Sequence, residues 1–127
     1  MTYRILVTGS RDWTDRSAVL STIRYALRTE GHLPARTDHH GFVVVHGGCP
    51  TGADAIAHAM CVTEGFPVER YPGWEFRSFK ERNQYMVDQG ADVCLAFALD
   101  WASGTGQTAR MARRAGIETI DIGVNTA

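Results

Sequence analysis

A chain of 127 residues with 44% hydrophobic content can bury a sizeable core without disulfides or a structural metal, and one domain over residues 1–127 is expected. Its 13 Lys and Arg against 14 Asp and Glu leave a formal net charge of −1, so there is no global basic field and a nucleic-acid partner is disfavoured. Three widely spaced cysteines without a Cys-x-x-Cys pair, apolar runs far short of a membrane span and no secretory signal at Met1-Thr2-Tyr3-Arg4 argue against a disulfide framework and a membrane, leaving a cytoplasmic location by elimination.

Along the chain, short runs rich in Val, Ile and Leu alternate with glycine-containing loops and segments of helical spacing. That alternation predicts parallel βαβ units and a Rossmann-like three-layer α/β domain with a mostly parallel five-stranded sheet. Strands are expected at about 3–8, 42–46, 67–71, 92–98 and 117–122. A first helix at about 15–29 sets Val19, Ile23, Ala26 and Leu27 on one face, with Asp15 as N-cap and Gly31 past its end. The irregular stretch from His32 to Gly41 is expected to be a surface loop, with His39-His40 an exposed pair. A second helix at about 53–64 is small and apolar nearly all round, which predicts close packing on the sheet. A third at about 78–89 is expected to turn Phe79, Met86 and Val87 inward and to end at Gly90; a fourth at about 106–115 buries Ala109, Ala112 and Met111 and ends at Gly116.

The unusual residues collect where strands give way to helices. After the first strand comes Thr8-Gly9-Ser10-Arg11-Asp12-Trp13, after the second His46-Gly47-Gly48-Cys49-Pro50-Thr51-Gly52-Ala53-Asp54, and after the fourth Ser103-Gly104-Thr105-Gly106-Gln107-Thr108. In an open parallel sheet, ligands bind beyond the C-terminal strand ends, where helix N-termini present backbone N–H groups and partial positive charge. Glycines there let the backbone approach phosphate oxygens that a side chain would block. A strand order 3-2-1-4-5 would bring the three loops into one crevice. Neither the Walker pattern nor the Gly-x-Gly-x-x-Gly of dinucleotide dehydrogenases is present, so an ATPase or a nicotinamide-dependent oxidoreductase is a weak reading.

These same loops resemble the SLOG superfamily, most closely its YspA-like branch of small bacterial and phage proteins. The resemblance runs from about Arg4 to Ile117 and rests on Val7 to Trp13, Val45 to Asp54, the pair Arg82-Asn83, Gly104-Thr105-Gly106 and Ala115-Gly116-Ile117. It implies a Rossmann-like domain that binds a nucleotide or a derivative such as ADP-ribose, as a sensor or sequestering module. It also brings in two rivals, the Lonely Guy phosphoribohydrolases and the DNA-processing proteins that hold single strands; the latter fit the neutral charge least. The phosphoribohydrolases carry Pro-Gly-Gly-x-Gly-Thr-x-x-Glu with a catalytic glutamate. Here the matching stretch, Ala102 to Ala109, keeps the Gly-Thr turn but has no carboxylate, which favours binding over hydrolysis. Related folds pair into dimers, and helices around Ile56 and Met60 or Met111 are a candidate face for a homodimer.

Each candidate residue has a second reading. Arg11 either clamps a phosphate or pairs with Asp12. Asp54 either complements its helix dipole or serves as a ribose-hydroxyl acceptor or general base. Arg82, within Lys80-Glu81-Arg82-Asn83, reads as a solvated charge run that only the resemblance raises to a site residue; Asp54 and Arg82 are the catalytic candidates should the chain hydrolyse nucleotides. Trp13 and Trp74 either stack on a base or pack. Cys49 is a nucleophile only if His46 activates it, and otherwise a small residue tolerated in a phosphate turn. The five histidines show no metal spacing, so neither a metal nor another cofactor is expected.

Overall fold

The computed structural model describes residues 2–32 and 41–123. His39-His40 lies outside the described residues. Five strands, β1 (Tyr3–Gly9), β2 (Phe42–His46), β3 (Val68–Arg70), β4 (Val93–Ala98) and β5 (Glu118–Gly123), form one sheet in the order β3-β2-β1-β4-β5, and every pair is parallel. Four helices connect them: α1 (Arg16–Thr29), α2 (Gly52–Glu64), α3 (Phe79–Asp88) and α4 (Gly104–Arg114). A short 3₁₀ turn, Gly73–Glu75, precedes α3.

Two cores flank the sheet, because alternate side chains of each strand point to opposite faces. Ile5, Val7, Val44, Leu95 and Phe97 meet α1 and α2 through Val19, Ile23, Leu27, Ala53, Ala57 and Cys61. Leu6, Val43, Val45 and Cys94 meet α3 and α4 through Met86, Val87, Met111 and Ala112. The first two crossovers build the sheet outward from β1 on one face; the chain then returns to β4 on the other side of β1, so the order reverses between β1 and β4. That is where an open α/β sheet leaves a crevice.

The expected caps and glycine ends of α1 and α3 are present. Asp15 accepts from the Ala18 N–H at 3.1 Å and Ser78 from the Glu81 N–H at 3.0 Å. Gly31, Gly90 and Gly116, beyond α1, α3 and α4, take positive φ. Four details differ from expectation. β3 is only three residues long, an edge strand paired to β2 alone. α4 starts at Gly104, so Gly104-Thr105-Gly106 is the first turn of a helix rather than a loop. Phe79 is exposed: as the first residue of α3 its side chain leans back toward the helix N-terminus, over the strand ends instead of the core. Ile56, Met60 and Met111, around which a dimer face was expected, are themselves buried in the chain's own cores. Among the described residues, no helix is long and apolar enough to cross a membrane.

Candidate functional site

The loops after β1, β2 and β4 are fastened together at the C-terminal edge of the sheet. The Ser10 N–H donates to the Phe97 carbonyl at 2.9 Å, and its hydroxyl accepts from the Leu99 N–H at 3.0 Å. The Thr51 hydroxyl donates to the Arg11 carbonyl at 2.8 Å. Gly52 sits against the Ser10 and Arg11 backbone, and Gly9 against Ala53, each so closely that a Cβ would collide. The result is an open cleft of about 1040 Å³, at the upper end of the range for small-molecule sites.

Of the expected site residues, Gly9, Ser10, Arg11 and Asp12 line this cleft from the first loop, and Gly47, Gly48, Cys49, Thr51 and Asp54 from the second. Arg82 and Asn83 line it from α3, and Gly104 and Thr105 from α4. Trp13, Gly52, Gly106 and Thr108 do not. Trp13 is a packing residue, 8% exposed, edge-on to Phe97 and donating its indole N–H to the Asp15 carbonyl at 2.9 Å. Gly52 and Gly106 are there for close backbone approach, the latter beneath the Trp101 carbonyl, and the buried Thr108 hydroxyl turns back to the Gly104 carbonyl at 3.0 Å.

The four helix N-termini differ in a way that bears on function. Those of α1 and α3 are capped by Asp15 and Ser78, whereas among the described residues no side chain caps α2 or α4. The hydroxyls at the two vacant capping positions are engaged elsewhere, Thr51 on the Arg11 carbonyl and Ser103 on the Asp100 carbonyl. Both uncapped ends open onto the cleft, so among the described residues no capping side chain meets their first-turn N–H groups or the positive ends of the two helix dipoles.

Behind α2's first turn lies Asp54, 6% exposed. Its Oδ2 accepts from the Cys49 N–H at 3.3 Å, while its buried Oδ1 has no partner among the described residues. Burial pushes its pKa from 3.8 to about 6, against the opposing pull of the Cys49 N–H, the Arg82 charge and the Gly47 N–H. The Arg82 guanidinium is held by its neighbours: Nε donates to Asn83 Oδ1 at 2.8 Å, and Nη1 to the Gly47 and Tyr71 carbonyls. It thereby pins the second loop to the end of β3. Burial lowers its pKa, which Asp54 and Cys49 partly offset.

Arg11 is exposed, and among the described residues its guanidinium has no partner; no ion pair with Asp12 forms. His46 is occupied on both ring nitrogens: Nδ1 accepts from the Gly48 N–H at 2.9 Å, and Nε2 lies 2.9 Å from His58 Nδ1. Burial, then the charges of His58, Arg70 and Arg82, depress its pKa to about 4. It is a neutral prop for the glycine turn and has no free nitrogen with which to activate Cys49, whose thiol is 3.9 Å from the Thr51 hydroxyl. Among the described residues, no group of three His, Cys, Asp or Glu is placed to hold a metal ion.

The segment between β3 and α3 also forms a wall of the cleft, through Gly73, Trp74, Phe76, Arg77 and Phe79, joined by Leu99 and Asp100 after β4. Apart from Trp74, these were not among the expected site residues. The rule that every strand's C-terminal end faces the ligand side, together with Pro72-Gly73, is the signal that would have found them.

The sequence profile of the YspA, cpYpsA-related SLOG family matches residues 3–75. The chain belongs to this family. The matched stretch carries β1 to β3 with the first two cleft loops, while Arg82, Asn83 and the Gly104 turn lie beyond it. At the level of the SLOG family the chain is a nucleotide-related protein. It is also similar to the Gene 61 protein of Mycobacterium phage D29, with 43% identity over 129 aligned residues, 94% of this chain and 96% of that protein. No solved structure matches the chain.

Proposed function

We propose that the cleft binds a nucleotide or a nucleotide derivative of the ADP-ribose kind, and that the protein senses or sequesters this ligand. The observation that carries the reading is the pair of uncapped N-termini, α2 and α4, opening onto one cleft where the other two helices are capped. Helix ends in that state are sites for phosphate oxygens. The Arg11 guanidinium, exposed and without a partner among the described residues, adds a cation at the same rim. The Asp54 carboxyl, which lines the cleft, is the acceptor for a ribose hydroxyl in this reading.

Two variants test this without disturbing the fold. At Gly104 an added Cβ meets nothing within 4 Å, so Gly104→Val fits the protein but fills space at the α4 N-terminus. It should weaken binding of ADP-ribose at least tenfold with an unchanged melting temperature; unchanged affinity would remove α4 from the site. Valine at Gly47 would instead displace Arg82, and at Gly48 it would impose positive φ, so neither gives as clean an answer. Arg11→Ala should cost about 1.5–3 kcal/mol of binding, roughly ten- to a hundredfold in Kd by calorimetry. A loss under threefold would place the phosphates elsewhere.

A second reading, N-glycosidic hydrolysis, is favoured by one feature: a buried cleft carboxyl with its pKa raised to about 6, near working pH, is what a general acid or base requires. Against it, the α4 turn that matches the phosphoribohydrolase signature has no carboxylate. Incubation with nucleoside monophosphates, ADP-ribose and NAD, followed by chromatography, is expected to show no base release beyond stoichiometry. Turnover that vanished in Asp54→Asn would make the protein an enzyme.

A further inference from the structure

The phosphate reading leaves the apolar wall of the cleft unexplained. Trp74 is 74% exposed and Phe79 60%, and both line the cleft, as does Leu99, which is 43% exposed. Large side chains left in water beside a binding rim cost the apo protein burial that they could have gained in the core.

Trp74 is held out by its surroundings. The 3₁₀ turn that carries it is closed by the Glu75 N–H on the Pro72 carbonyl and the Phe76 N–H on the Gly73 carbonyl, each at 3.1 Å. Pro72 is buried, and the Phe76 ring packs on Tyr85, which packs in turn on Tyr71. Phe79 lies against Gly73 and under the Arg82 guanidinium, 5.4 Å from ring centroid to Cζ. Phe76, Phe79, Tyr71 and Tyr85 thus each have an aromatic or cationic partner, whereas Trp74 has neither among the described residues. A rigid turn presents one bare indole to a cleft whose other wall holds two uncapped helix N-termini.

We infer that Trp74 is the platform on which the ligand's nucleobase stacks, with Phe79 and Leu99 beside it, so that the site selects base-bearing nucleotides over sugar phosphates. The inference rests on the nucleotide reading above and assigns it a specificity residue. An aromatic face takes any base, so affinity comes from stacking, and larger purines gain most.

The test compares AMP, ADP-ribose and ribose 5-phosphate by calorimetry on wild type, Trp74→Phe and Trp74→Ala. Wild type should prefer AMP to ribose 5-phosphate, and Trp74→Ala should weaken AMP and ADP-ribose about five- to a hundredfold while leaving ribose 5-phosphate unchanged. Trp74→Phe should recover much of the loss. In wild type, AMP should quench tryptophan emission, and the quench should disappear in Trp74→Phe, where the buried Trp13 and the half-buried Trp101 remain. Equal binding of AMP and ribose 5-phosphate, or equal loss of both in Trp74→Ala, would overturn the base platform and leave the phosphate site standing. Failure of all three ligands to bind would remove the nucleotide reading and this inference with it. If Trp74→Ala instead turned a sedimenting dimer into a monomer with AMP affinity intact, Trp74 would cover a second copy and the inference would fall.

Discussion

Gly52→Ala is expected to destabilise the fold by about 2–6 kcal/mol. Two costs combine there. Gly52 has φ +74°, a conformation worth about 1–3 kcal/mol of strain for any other residue, and its Cβ would drive into the Ser10 carbonyl and the Arg11 backbone, an overpacking cost of about 1–3 kcal/mol. Gly65, at the other end of the same helix, is the internal control. Its φ is +71° and nothing lies within 4 Å, so Gly65→Ala should lose the strain contribution alone. Urea unfolding of both variants separates the two. Equal losses would mean that the contact between α2 and the first loop can relax, and that the cleft is not braced as described.

Asp54→Asn is expected to act in the opposite direction, stabilising the apo protein by up to about 3 kcal/mol at pH 8 and by nothing near pH 4. The folded pKa of Asp54, about 6, lies above its ordinary 3.8. Above pH 6 the buried carboxylate is a cost; as pH falls from 6 to 3.8 the folded chain takes up the proton first and stability rises. His46 does the reverse over nearly the same range. Its folded pKa, about 4, lies below 6.5, so the unfolded chain protonates first and stability is lost as pH falls from 6.5 to 4. The two contributions largely offset in wild type, and Asp54→Asn should expose the histidine slope. Melting curves from pH 4 to 8 decide the matter, since a variant no more stable than wild type at pH 8 would show that Asp54 is not held at a cost. A buried oxygen kept unpartnered at the expense of stability is what a binding site, rather than a structural cap, would retain.

The central sheet was legible because β1, β2 and β4 carry short buried apolar runs, Ile5-Leu6-Val7, Phe42-Val43-Val44-Val45 and Val93 to Ala98, on both faces. The order 3-2-1-4-5, which would gather the glycine loops and agrees with right-handed crossovers, is the order in the structure. Three things were hidden for physical reasons. Phe79 counts as a core residue by helical spacing, yet spacing does not know that a first-turn side chain leans out past the helix end. Trp13 stands in a glycine loop like a ligand contact, but a long-range neighbour, Phe97 on β4, buries it. The wall from Gly73 to Phe79 follows the strand expected at 67–71, but its irregular 3₁₀ turn has no periodicity, so the aromatic side of the cleft could not be assembled from spacing. Likewise, sequence put a carboxylate at the start of α2 without showing that one of its oxygens would be buried and unpartnered.

The most direct test is a calorimetric titration of ADP-ribose and the common nucleoside 5′-monophosphates into the wild-type protein and into Gly104→Val at pH 7.5. Saturable binding of at least one of them by wild type, weakened tenfold or more in a variant that melts at the same temperature, is the result expected if the uncapped ends of α2 and α4 hold phosphate. No binding by wild type, or equal affinity in the two proteins, would contradict it.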